Sequence, residues 1–141
     1  MPIQFKFDSE IGIVFTRAQG LVSFEDIRQH LLEEAADAGA AGYPEIFDAS
    51  DASTNLTSAQ IQQIADRVTS MMKADRFGPT AIIANKDAVF GMARMLETFS
   101  ELQGGPSFGV SRTLDEGMKW LQAQMAASSY QQTLAKAATS R

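Results

Sequence analysis

The chain has 141 residues, 45 % hydrophobic and 21 % charged, with 12 basic against 17 acidic side chains and a formal net charge of −5. That length supports one domain with a sizeable core. The acidic balance disfavours sequence-independent nucleic-acid binding and attachment to anionic membrane, both of which need a basic surface. Cysteine is absent, which removes disulfides, thiolate catalysis and Cys-based metal sites together.

The first ten residues, MPIQFKFDSE, hold no long apolar core and no small-residue cleavage pattern, so no signal peptide is expected. No apolar run approaches the length of a membrane span. A cytoplasmic location is the expectation.

Ile3, Phe5 and Phe7 alternate with Gln4 and Lys6, the period-two mark of a half-buried strand. After the turn formers Asp8, Ser9 and Gly12, residues 11–18 are rich in β-branched and aromatic side chains and predict a second strand, closing a hairpin. Gly20 is read as the end of that strand. Ser23 and Asp26 have capping-box spacing, and Phe24, Ile27, Leu31 and Ala35 share one face of the helix that follows. Gly39 and Gly42 stop it.

Residues 44–49, PEIFDA, predict a short strand. Thr57 to Gln60 is a second capping box, and Ile61, Ile64, Ala65, Val68 and Met72 form the inner face of the next helix. Residues 80–85, TAIIAN, read as a strand buried on both faces. A helix from about Asp87 turns Val89, Met92, Ala93, Leu96, Phe99 and Ser100 inward, and Gly104, Gly105 and Pro106 end it. Residues 107–112 predict the last strand. Thr113 to Glu116 caps the last helix, with Leu114, Met118, Leu121 and Met125 at helical spacing.

The order is β-β-α-β-α-β-α-β-α: an α/β fold with a mixed, mostly parallel sheet, an N-terminal hairpin and helical cover. Residues 1–125 are assigned to a single domain. Residues 126–141, mostly Ala, Ser, Gln and Thr, form a helical extension or a frayed tail.

The chemistry-bearing residues are sparse. The one histidine, His30, lies one position off the apolar stripe of its helix and reads as a solvated or partly covered residue, so no metal site and no cofactor are expected. No phosphate-binding glycine loop and no nucleophile elbow can be read. Glu33 and Glu34 read as part of a solvated helix face. Asp48, Ser50, Asp51, Asn85, Lys86 and Arg112 fall near the carboxyl ends of the strands, where open α/β sheets gather ligands, but ordinary turn and cap roles account for them. Phe90, Met95 and Trp120 lie off their stripes and would mark a partner surface or a dimer contact if exposed together.

The stretches EIFDAS, AIIAN, FGMARM and TLDEGMKWL, in this element order, resemble the SpoIIAA-like proteins of the STAS superfamily, related in fold to CRAL-TRIO lipid-binding domains. The resemblance spans residues 3–122. It implies a regulatory or binding role without catalysis. In the antagonists that give the family its name, a serine at the start of the helix after the third strand is phosphorylated within a D-S-S-G pattern. The aligned segment here is Leu56 to Ala59, LTSA, in which Leu56 and Ala59 replace the acid and the glycine. Thr57 and Ser58 keep the hydroxyls, although Thr57 has a sufficient role as a helix cap.

The expectation is thus a non-enzymatic, STAS-like regulatory module that binds a protein partner. Asp48, Asp51, Ser53, Thr57 and Ser58 are the partner-binding or phosphoacceptor candidates, with a homodimer through a helix face or the hairpin edge as one arrangement. The alternative is a carrier of a small apolar, lipid-like ligand, with a cavity lined by residues such as Phe47, Met92, Phe99 and Trp120.

Overall fold

The computed structural model describes residues 2–139, with side chains as far as residue 128. The elements are β1 (Ile3–Asp8), β2 (Ile13–Val22), α1 (Phe24–Ala36), β3 (Glu45–Thr54), α2 (Ser58–Lys73), β4 (Thr80–Ile83), α3 (Asp87–Leu102), β5 (Phe108–Ser111) and α4 (Leu114–Thr139). They form one five-stranded sheet in the order β1-β2-β3-β4-β5. β1 runs antiparallel to β2 at one edge, and the remaining pairs are parallel.

The crossovers all step the same way across the sheet, so a shared hand puts their helices on one face. α1, α2 and α3 pack there, through Ile27, Leu31, Ile64, Val68, Val89 and Ala93. α4 packs on the opposite face, where Leu121, Met118 and Trp120 meet Ile13, Ile46, Ala81 and Ile83. β4, with helices on both sides, is buried along its whole length, as its unbroken apolar run requires.

The three expected capping boxes differ in completeness. Ser23 and Thr57 each accept from the third residue of their helix, and Asp26 and Gln60 each accept in return from the cap's backbone N–H. Thr113 accepts from the Glu116 N–H at 3.3 Å.

Two boundaries move together. Gly20 does not end β2, which continues to Val22, and β3 reaches Thr54 where the sequence suggested residue 49. Gly20, Leu21 and Val22 pair with Ala52, Ser53 and Thr54, beyond a register shift between Arg17 and Gln19. Gly20 takes φ +70°, a conformation that glycine adopts without strain, so it serves the irregular strand rather than terminating it. The hydroxyl-rich connection before α2 shrinks to Asn55, Leu56 and Thr57.

Candidate functional site

Alternation along the strands sends Thr16, Ala18, Glu45, Phe47 and Ala49 toward the face covered by α1–α3. Several of these residues, with Ala52 on β3 and Ala93 on α3, are small. The helices do not close fully over them, which leaves a cavity of about 120 Å³ between sheet and helices. Phe47, Ala49 and Ile82 form its floor, and Ile27, Leu31, Ile64, Val68, Met92 and Ala93 its roof. Its walls are almost wholly apolar, and His30 and Glu45 lie among the lining residues. Two of the four residues expected to line such a cavity, Phe47 and Met92, do so; Phe99 and Trp120 are not among the lining residues. Trp120 stands on the other face of the sheet, where the residue at 109 must be glycine because a Cβ would run into the indole.

Beside the cavity lies a buried polar cluster. His30 and Glu34, one turn apart on α1, meet Glu45 at the start of β3, and the three residues are 3 %, 1 % and 2 % exposed. His30 Nε2 stands 2.9 Å from Glu34 Oε2 and 3.3 Å from Glu45 Oε2. The Thr16 hydroxyl donates a short hydrogen bond to the same Glu45 oxygen. The rings of Phe5 and Phe47 flank the imidazole edge-on, with centroids 5.6 and 5.8 Å away. His30 Nδ1 and Glu34 Oε2 have no hydrogen-bond partner.

The electrostatics follow from that enclosure. Burial works against the His30 imidazolium, but the carboxyl groups of Glu34 and Glu45 outweigh it and push its pKa up to about 9. Burial, reinforced by the Glu45 charge, pushes Glu34 up to about 8. Both shifts hold protons on the cluster to higher pH than the free side chains would. Chemically it is a water-excluded set of one imidazole and two carboxyl groups, able to hold protons or a cation.

These positions overturn the sequence expectation for His30 and for Glu34. Neither is solvated, because α1 turns Ile27, Leu31 and Glu34 inward on the same side as His30. A readable signal existed. His30 and Glu34 have i, i+4 spacing, and Glu45 stands two residues before Phe47, which puts both on one side of a strand.

The sequence-derived candidates are brought along one segment of chain but engaged separately. Asp48 is half-buried and its Oδ1 accepts from the Ser50 N–H at 3.0 Å. Asp51 is exposed and paired with Arg17 at 2.7 Å. Ser53 is exposed near the end of β3. Thr57 caps α2, its hydroxyl accepting from the Gln60 N–H at 3.2 Å, and Ser58 is exposed on the first turn. Beyond them, Lys86 donates to the Ala52 carbonyl, while Arg112 pairs with Asp87 and lies 4.0 Å over the Phe90 ring. Phe90 and Trp120 thus lie on opposite faces of the sheet and do not form one patch.

Among the described residues no helix is long and apolar enough to cross a membrane. No family model matches the chain, and no curated protein matches it. Among solved structures it is similar to an uncharacterised protein of the DUF3478 family with a SpoIIAA-like fold from Shewanella loihica PV-4. The TM-score is 0.53 at 17 % identity, over 84 % of this chain and 91 % of that one. It is also similar to the anti-sigma factor antagonist SpoIIAA in its unphosphorylated form, with a TM-score of 0.49 at 13 % identity, over 85 % of this chain and 97 % of that one. At 17 % identity the match to the Shewanella protein shows the fold alone: the mixed five-stranded sheet with four helices of this chain is a SpoIIAA-like fold.

Proposed function

We propose that this chain is a non-enzymatic binding module that holds a small apolar molecule between its sheet and the helices α1–α3. The observation that carries this reading is the cavity of about 120 Å³ with almost wholly apolar walls. An engineered apolar cavity of about 150 Å³ stays dry and takes up benzene or xenon. A void of this size therefore suits a ligand of benzene size or a short alkyl segment. The alanines of the floor and roof leave the space that larger side chains would fill.

The test is a titration of the full chain with benzene and with xenon, followed through methyl resonances. Shifts should concentrate on Ile64, Val68 and Ala93 and disappear in Ala93→Leu, whose side chain occupies the space. Unchanged methyl resonances at saturating benzene and xenon would remove this reading.

A second reading has its own observation. Ser53 and Ser58 are exposed, and Ser58 stands on the first turn of α2, where backbone N–H groups and the helix dipole favour an anion. This supports a regulatory, protein-binding surface with a phospho-switch at Thr57 or Ser58, by analogy with an anti-sigma factor antagonist. Phosphate mapped to either residue in protein from its own cells, and partner capture altered by Ser58→Asp, would establish it. Capture indifferent to Asp or Ala at both positions would dismiss it.

A further inference from the structure

We infer that His30, Glu34 and Glu45 form a binding site for one divalent first-row transition-metal ion. The inference goes beyond the apolar-ligand reading and stands or falls separately from it.

The geometry is that of a ligand set. His30 Nε2 lies 2.9 Å from Glu34 Oε2 and 3.3 Å from Glu45 Oε2, and one ligand atom from each residue lies within 4.8 Å of the others. An ion bonded at about 2.0–2.1 Å sets its neighbouring ligands roughly 2.9–3.4 Å apart, the shorter value for octahedral and the longer for tetrahedral coordination. The two measured edges fall inside that range.

Hydrogen bonding points the same way. Without an ion, the single N–H at Nε2 faces two carboxyl oxygens. Glu45 Oε2 already accepts from Thr16 as well as His30, and Glu34 Oε2 accepts from nothing. A buried carboxyl oxygen that faces an imidazole nitrogen at 2.9 Å but takes no hydrogen bond is costly. An ion would satisfy it, along with the imidazole lone pair and Glu45.

Charge also balances. With both carboxyl groups ionised and His30 neutral, the donor set carries −2, which a divalent cation cancels inside a site that excludes water. One imidazole with two carboxylates suits Zn²⁺, Mn²⁺ or Fe²⁺. Mg²⁺ usually keeps several waters and Ca²⁺ takes six to eight oxygens, and an enclosed site with three donors provides for neither. Binding requires Nε2 and both carboxylates free of protons, so any proton on those atoms passes to solvent as one nitrogen and two oxygen bonds to the metal form. Because the donors are enclosed between α1, which carries His30 and Glu34, and β3, which carries Glu45, the ion enters while that helix is lifted from the sheet, so loading is best done during refolding.

The experiment refolds the chelator-stripped full chain with Zn²⁺ or Co²⁺, then separates free metal by gel filtration. One ion per chain is expected, with visible ligand-field bands for Co²⁺ and X-ray absorption showing nitrogen and oxygen neighbours without sulfur. Glu34→Gln keeps the size and neutrality of the protonated acid, so it should fold. Its Zn²⁺ affinity should fall by more than about 100-fold, while the exposed control Glu33→Gln binds as the parent does. A parent chain that retains no ion, or Glu34→Gln binding as tightly as the parent, overturns the site. The Co²⁺ measurement on the parent decides the question even if the variant fails to fold.

Discussion

Under α1–α3 the sheet meets its helices through alanines, a void and three buried titratable side chains. Under α4 it meets one helix through Gly109, Gly117, Trp120 and Leu121, and Cβ atoms at both glycines would collide with Trp120 and Ile83. The sheet is the same. What differs is how much side-chain volume lies between the layers. A closely fitted contact tolerates no addition. A contact with slack can accept a ligand, and the slack sits beside the groups that would tune it.

The comparison breaks most severely at Glu45. Glu45→Ala leaves His30 and the Thr16 hydroxyl without their shared acceptor, and removing one partner of a buried charged pair costs about 3–5 kcal/mol. Urea denaturation should show a loss of that order, and a loss under about 1 kcal/mol would mean that the cluster is not organised around this carboxylate. The next effect is a pH dependence of the metal-free chain, measured in chelator. His30, raised from 6.5 to about 9, stabilises fully below pH 6.5 and loses that contribution as pH rises through 9. Glu34, raised from 4.5 to about 8, binds its proton more tightly folded than unfolded, so its contribution also fades with rising pH, between 4.5 and 8. The melting temperature should therefore fall steadily from pH 7 to 10, and Glu34→Gln should flatten the lower part of that decline. A melting temperature that rises over this range contradicts both assignments.

Smaller changes sharpen the contrast between the faces. Gly109→Ala on the α4 side forces Trp120 to move and should cost about 2 kcal/mol, with an altered tryptophan emission as the direct readout. Thr57→Ala removes the α2 cap and should cost about 1 kcal/mol by thermal melting, whereas Ser58→Ala should cost nothing measurable. On the slack face, Ala93→Leu adds more volume than Gly109→Ala, yet it should stay within about 1 kcal/mol of the parent because it grows into the cavity. A penalty for Ala93→Leu equal to that of Gly109→Ala would erase the distinction.

The fold was legible because nearly every element carries its own period and cap. Phe5 and Phe7 alternate, Ile61 through Met72 keep one face, and Thr57 and Thr113 announce their helices. The polar cluster was hidden by a small ambiguity. Either Ala35 or Glu34 can complete the stripe of α1, and choosing the apolar one rotates the face enough to put His30 outside. Burying the acid depends on its pairing with Glu45 across the layer, and helical periodicity within one segment cannot express that pairing. The joint extension of β2 and β3 is hidden for a related reason, since Gly20 looks like a breaker until its partner Ala52 is known. The cavity is a shortfall of volume summed over several elements, and only the packed structure reveals it.

The strand order β1-β2-β3-β4-β5 has a consequence for assembly. Each strand is bonded to the one made just before it, so the sheet grows outward in the order of synthesis and few pairings wait for distant chain. Thr16, His30, Glu34 and Glu45 all lie within the segment of residues 16–45. Their cluster can close as soon as β3 docks, before β4 exists, while the roof supplied by α3 is completed afterwards. An ion would be enclosed near the beginning of folding, and the apolar chamber sealed near its end.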